Sequence, residues 1–251
     1  MNHKKDLLAA IENGMKKACN DMYSFCDNPA QKFNAEYLFT VATAHAINAL
    51  NGPPADPYEI RLELNTKIFA RDCLPVFPRK KTPLKSHSNI FRKNSTVDIT
   101  RHGRIDIAVY YDPVQPKTIG RTLLCAIELK GFNPSRSLVV KDLRRNLQFH
   151  RGVGPTGPSL LNLSFFAALH SRSAKHTLRN ENAVKAQYQK WLSELGLIND
   201  LSITIHTFTV SVDPMGRLLD EADEIVIDTS SIHHFVGAVV MFEGPNCDLA
   251  L

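Results

Sequence analysis

Apolar residues recur at three- and four-residue spacing in four separate segments of the chain. In the first segment, Leu7, Ile11, Met15 and Met22 would line one side of a helix. This period is typical of an amphipathic helix that buries one face. The helices predicted in this way span residues 4–26, 34–50, 138–150 and 181–195.

Strand-like patterns fill the segments between these helices. Glu59, Arg61 and Glu63 alternate with apolar neighbours, as in a half-buried strand, whereas the later segments are almost wholly apolar and indicate buried strands. The predicted strands span residues 58–66, 104–111, 122–130, 160–169, 201–212 and 235–242. This order of elements, within 251 residues, indicates a single α/β domain with a mixed central sheet and helices on both faces.

Three charged residues interrupt the two most apolar strand segments. Asp106 lies within Arg-Ile-Asp-Ile-Ala-Val, and Glu128 and Lys130 end the run Leu-Leu-Cys-Ala-Ile-Glu-Leu-Lys. A buried carboxylate or ammonium costs much free energy unless it is paired or binds a metal. Two acids and one lysine in buried strands therefore point to a site.

Strand parity predicts that these three residues meet. Glu128 and Lys130 are two positions apart and project from the same face of their strand. In an antiparallel hairpin centred near Lys117, position 106 pairs with position 128, which brings the two Cβ atoms to within about 5.5 Å. A divalent cation would relieve the repulsion between two acids at this distance, since Mg²⁺ favours one or two carboxylates together with waters and phosphate oxygens.

The arrangement resembles the PD-(D/E)XK nuclease superfamily, whose fold is called restriction endonuclease-like. The resemblance covers the helix at 34–50, the three strands to residue 130, the helix at 138–150 and the strand at 160–169, which follow the αβββαβ core order. The family motif is an acid in the second core strand and Glu/Asp-x-Lys in the third. Ile105 stands where the family's proline would be. On this reading residues 1–33 are a helical extension, 34–170 the catalytic core and 171–251 an additional helix and strands.

The resemblance implies a Mg²⁺- or Mn²⁺-dependent nuclease with residues in named roles. Asp106 and Glu128, with the Leu129 carbonyl, would hold the metal, and Lys130 would orient the attacking water or stabilise charge on the phosphate. Glu36 matches the acid that many members carry on the first core helix, and it would be a further catalytic residue that holds a second metal or a metal-bound water. Because this family's second core helix commonly adds a polar residue to the active site, two further residues are candidates for substrate binding. They are Lys141 and Gln148.

The charge distribution agrees with a nucleic-acid partner. The net charge is +5, yet residues 79–104 alone carry eight Lys and Arg against one acid. A localised basic segment of this kind favours binding to the phosphate backbone, here expected to be DNA, with Arg79, Lys80 and Lys81 as contacts. A solvated surface loop is the alternative interpretation of such a charge run.

Other features narrow the class of protein. Five scattered cysteines suggest neither a disulfide framework nor a zinc site, and the sequence contains no signal-peptide core, membrane-length apolar run or P-loop. We therefore expect a cytoplasmic protein that does not insert in membranes. A homodimer suits cleavage of both DNA strands, although no interface signature indicates one.

Two other interpretations of the three charges stay open. The chain could be a catalytically silent nuclease fold that binds nucleic acid or a protein partner, and a missing effect of divalent cations on thermal stability would favour that reading. Alternatively, the charges could form a structural network in an unrelated α/β protein. Placement of Asp106 and Glu128 on opposite faces of the sheet would favour this last interpretation.

Overall fold

The structure of the chain is a computed structural model, and it describes residues 3–26, 35–52, 57–75, 103–111, 122–154, 156–172, 177–214, 217–221, 224–228 and 232–244. The helices are α1 (His3–Cys26), α2 (Ala35–Asn48), α3 (Thr66–Asp72), α4 (Arg136–Arg151) and α5 (Thr177–Ser193). The strands are β1 (Tyr58–Asn65), β2 (Arg104–Tyr111), β3 (Thr122–Phe132), β4 (Val153–Gly154), β5 (Gly157–Pro158), β6 (Leu163–Arg172), β7 (Ser202–Pro214), β8 (Arg217–Glu221), β9 (Glu224–Asp228) and β10 (Ile232–Glu243).

Six of these strands form one mixed sheet in the order β1-β2-β3-β6-β10-β7. Neighbouring strands are antiparallel except for β3 and β6, which are parallel. Parallel strands need a crossover connection, and α4 lies in the segment that joins this pair. The predicted mixed sheet is therefore confirmed.

Helices cover both faces of the sheet, as the sequence predicts. On one face, α1 and α2 pack against alternate residues of β2, β3 and β6, such as Ile107, Ile127 and Phe165. On the other face, α4 and α5 pack against the intervening residues of β6 and β10, such as Phe166 and Val240. Because both faces are buried, the central strands have continuous apolar sequences rather than alternating ones.

Several short elements were not predicted. The helix α3 begins directly after β1, where the side chain of Asn65 caps it by accepting a hydrogen bond from the amide of Lys67. Two small hairpins, β4–β5 and β8–β9, stand apart from the main sheet. Within the described ranges, no helix is both long enough and apolar enough to cross a membrane.

Candidate functional site

The register of the β2–β3 hairpin, continued by one residue beyond its last recorded pair, sets Asp106 opposite Glu128. Ile107 pairs with Ile127 and Ala108 with Ala126, so the next two positions in this register are 106 and 128. Opposed positions project to the same face of a sheet. The predicted register is confirmed from residue 107 to residue 109, and by parity its continuation puts Asp106 and Glu128 on the same face, which does not favour an unrelated structural network.

Asp106 is fixed in place by the backbone of the neighbouring strand. Its Oδ2 accepts a hydrogen bond of 2.6 Å from the amide of Leu129, and its side chain is buried. Burial raises the pKa of the Asp106 carboxyl to about 6, and the Leu129 hydrogen bond and the Lys130 charge oppose this only in part. The net effect is a pKa of the Asp106 carboxyl well above its ordinary value.

Glu128 is completely buried and pairs with an arginine from α4. Its Oε2 is in charge contact with Nη2 of Arg145, itself only 3% exposed, but neither Oε1 nor Oε2 has a hydrogen-bond partner among the described residues. Burial raises the pKa of the Glu128 carboxyl well above its ordinary value, with the positive charge of Arg145 acting in the opposite direction. A buried carboxylate oxygen without a partner is the kind of group that a cation would stabilise.

Lys130 links the helices on the two faces of the sheet. Its Nζ donates to Oε1 of Glu36 on α2 at 2.6 Å and to the carbonyl of Leu129 at 2.9 Å, and it lies 3.7 Å from Oδ2 of Asp142 on α4. Burial alone would lower the pKa of the Lys130 ammonium, but the Glu36 hydrogen bond and the charges of Asp106 and Asp142 raise it overall. Lys130 is therefore held in its charged form.

Sequence reasoning missed two residues of this site, Asp142 and Arg145. Both lie on the buried face of α4, where Arg145 Nη2 is 3.3 Å from Asp142 Oδ1 one turn away. A signal for them exists in the sequence: Asp142 follows Val139 by three positions, which puts a charge inside the apolar stripe. A charge at such a position calls for a partner, as it does within the strands.

Of the five predicted substrate-binding residues, two lie on α4 and three lie outside the described residues. Lys141 is exposed and Gln148 is half-buried, and both flank the buried face of α4 rather than belong to it. Arg79, Lys80 and Lys81 lie outside the described residues. Their contribution to DNA binding stays a prediction.

Irregular backbone surrounds the acids on both sides. Glu63 of β1 has φ of +52° and falls opposite Asp106 in the β1–β2 register, where the pairing skips this position. The register between β3 and β6 also shifts, between Lys130 and Phe132. Positive φ in a non-glycine residue and bulges of this type are both enriched at functional sites.

Together these side chains form what we call the charge cluster, with four carboxylates and two cations. Its members are Glu36, Asp106, Glu128, Lys130, Asp142 and Arg145. When all six are ionised, the cluster has a surplus of negative charge in a buried place. Such a surplus is relieved either by proton uptake or by a bound cation.

The oxygen donors of the charge cluster meet only part of what a metal ion needs. Within the described residues, no group of three or more His, Cys, Asp or Glu side chains is arranged to hold one. Mg²⁺ requires less, because one or two carboxylates are commonly completed by waters and substrate phosphate oxygens. Asp106 and the unpartnered Oε1 of Glu128 fit a metal of this kind, provided that Arg145 yields part of its place.

Comparison of the chain with models of protein families, with curated proteins and with solved structures finds no match in any of the three.

Proposed function

We propose that the protein is a metal-dependent nuclease that hydrolyses phosphodiester bonds of DNA, in defence, restriction or repair. The observation that carries this proposal is the position of Asp106, Glu128 and Lys130 at one point of a buried hairpin with surplus negative charge. A binding surface has no need of two buried acids, whereas a divalent cation that contacts a phosphate needs carboxylate ligands.

The order of the elements supports the same proposal. From α2 through β1, β2, β3 and α4 to β6, the chain follows the αβββαβ order expected from the resemblance to PD-(D/E)XK nucleases. The acids lie on the second and third strands of that order, as the family motif requires. The inserted helix α3 and the small hairpin β4–β5 are additions to it.

Each residue of the site would have a distinct part in the reaction. Asp106 and Glu128, with the Leu129 carbonyl, would hold the cation, which when bound polarises the scissile phosphate and lowers the pKa of a water. Lys130 keeps its proton because of Glu36, so its ammonium is available to stabilise charge that develops on the phosphate. Glu36 is thus a positioning residue for Lys130 in this arrangement.

DNA cleavage tests this proposal directly. Plasmid and linear DNA are incubated with the protein in Mg²⁺, in Mn²⁺ and in EDTA, alongside the variants Asp106→Ala, Glu128→Ala and Lys130→Ala. We expect cleavage that requires the cation and that each variant abolishes. Cleavage that survives in the Asp106→Ala and Lys130→Ala proteins would refute the assignment of these residues.

A second candidate is a catalytically silent member of the same fold that binds nucleic acid or a protein partner. The observation that favours it is internal charge pairing: Arg145 contacts Glu128 and Glu36 contacts Lys130, so much of the cluster is compensated within the protein. The two candidates differ in their response to Mg²⁺. A ligand of the folded state raises the unfolding temperature, and the silent module would show no rise that depends on Glu128.

The remaining expectations about context stay predictions. These are a cytoplasmic location, the homodimer and the choice of DNA over RNA. Sedimentation and cleavage of matched DNA and RNA substrates would test the last two.

A further inference from the structure

We propose that Arg145 is a built-in counter-ion of Glu128, that a divalent cation must displace it, and that Asp142 receives the displaced guanidinium. This inference rests on the proposed function, because it concerns how the same site accepts its metal. It assigns a role to two residues of α4 that lie outside the motif. Arg145 and Asp142 would be positioning residues rather than catalytic ones.

The geometry provides both the starting contact and the destination. Nη2 of Arg145 contacts Oε2 of Glu128 and also lies 3.3 Å from Oδ1 of Asp142. All three side chains are at most 3% exposed, so water cannot take over the role of either partner. A small rotation of the guanidinium would move its charge from the glutamate towards the aspartate.

The buried pair formed by Glu128 and Arg145 leaves polar atoms without hydrogen bonds among the described residues. In the part of the chain that the structure describes, neither of the carboxylate oxygens of Glu128 nor the Nε of Arg145 has a hydrogen-bond partner, although all three atoms are buried. A pair that had evolved only to stabilise the fold would be expected to use these atoms, since an unsatisfied buried polar atom is costly. Oxygens left in this state are available to a ligand.

Lys130 does not act as the counter-ion of Glu128, because its ammonium has other partners. Lys130 is engaged by Glu36 and by the Leu129 carbonyl, and it lies 3.7 Å from Asp142. An arginine is suited to the exchange because its planar fork presents several donors and can contact two carboxylates at once. In this exchange Arg145 neutralises Glu128 without metal and moves to Asp142 without having to cross to solvent.

A competing counter-ion has a measurable consequence for metal affinity. If Arg145 and the cation share Glu128, removal of the arginine charge should tighten metal binding while it destabilises the metal-free protein. If Arg145 merely holds α4 on the sheet, its removal should weaken metal binding or leave it unchanged. Tighter metal binding after removal of Arg145 is therefore expected only if the arginine competes with the cation.

The test compares Mn²⁺ affinity, measured by calorimetry on EDTA-stripped protein, in the full-length wild type and in Arg145→Gln. We expect the variant to bind Mn²⁺ more tightly by about tenfold, since close buried charge pairs couple with that strength or more. The matched control is Arg144→Gln, which removes an exposed arginine from the next position of the same helix and should leave the affinity unchanged. Equal or weaker Mn²⁺ binding by Arg145→Gln would overturn the inference, as would absence of Mn²⁺ binding in every protein.

A second variant keeps the inference testable if Arg145→Gln fails to fold. Arg145→Met removes the charge but keeps a long unbranched side chain that can fill much of the same space, and we expect tighter Mn²⁺ binding than in the wild type. Affinity at or below the wild-type value would contradict this.

DNA cleavage separates this inference from the proposed function. A wild type that binds Mn²⁺ in competition with Arg145 yet cleaves no DNA refutes only the nuclease. A wild type that cleaves DNA while its Arg145 variants gain no affinity refutes only the counter-ion exchange.

Discussion

Replacement of Asp106 by asparagine should stabilise the metal-free protein at neutral pH. The substitution keeps a side-chain oxygen that can accept the hydrogen bond from the Leu129 amide, and it removes the ionisation that burial opposes. The folded-state pKa of Asp106 is about 6, above its ordinary value of 3.8. Between these two values the unfolded chain ionises while the folded protein stays protonated, so the wild type loses stability as the pH rises through this window.

The size of the effect follows from the same two values. A difference of about two pKa units corresponds to about 3 kcal/mol of unfolding free energy at pH 7 and above, as an order of magnitude. Well below the ordinary pKa of 3.8, where the carboxyl is neutral in both states, the wild type and Asp106→Asn should have nearly equal stability. The gap should open between pH 4 and pH 6 and then stay constant.

Urea denaturation in EDTA at pH 4.5, 5.5 and 7.5 measures this gap. The matched control is Asp200→Asn, because a hydrogen bond from Arg151 lowers the pKa of the exposed Asp200 carboxyl. That variant should lose a little stability at neutral pH, which is the opposite sign. The prediction is refuted if the difference in unfolding free energy between wild type and Asp106→Asn is the same at all three pH values. It is also refuted if the wild type is the more stable protein at pH 7.5, because a raised pKa of Asp106 requires the opposite.

Two further predictions concern the frame that supports the site. Gly14→Ala should destabilise the fold by about 1–3 kcal/mol, because an added Cβ would lie 2.5 Å from the Cα of Thr43 where α1 crosses α2. The control is Gly52→Ala, whose Cβ would meet nothing within 4 Å. Equal melting temperatures for the two variants would contradict this prediction. Tyr188→Phe should cost about 1–3 kcal/mol in urea denaturation, because it leaves the buried ring of His170 without its 3.0 Å partner; an unchanged midpoint would show that this hydrogen bond adds nothing.

The central hairpin was predictable because a strand has a period of two. Once 104–111 and 122–130 are identified as strands, a single centre of symmetry fixes every pair, and the predicted register holds from Ile107 to Val109. The hairpin departs from it at Tyr110, where the register shifts by one residue beyond the site. Parity alone also put Glu128 and Lys130 on one face.

The partners of these charges could not be predicted in the same way. Whether Asp142 and Arg145 face the sheet depends on the rotation of α4, and their exact contacts depend on how far that helix lies from β3. The pairing of Lys130 with Glu36 joins residues that are 94 positions apart. Local periodicity carries no information on such a contact, because tertiary packing decides it.

The short elements escaped prediction for a different reason. The helix α3 has only seven residues and depends on the Asn65 cap, and β8 and β9 have five residues each. Segments of this length contain too few turns or alternations to show a period. Their patterns are compatible with loop, helix or strand alike.

Diffraction from crystals grown with Mn²⁺ tests the central claim most directly. We expect an anomalous peak within about 2.5 Å of carboxylate oxygens of both Asp106 and Glu128, as for oxygen ligands of hard cations, with Arg145 turned towards Asp142. A peak elsewhere on the protein, or none, with the contact between Arg145 and Glu128 intact, would contradict a metal-dependent nuclease site at this hairpin.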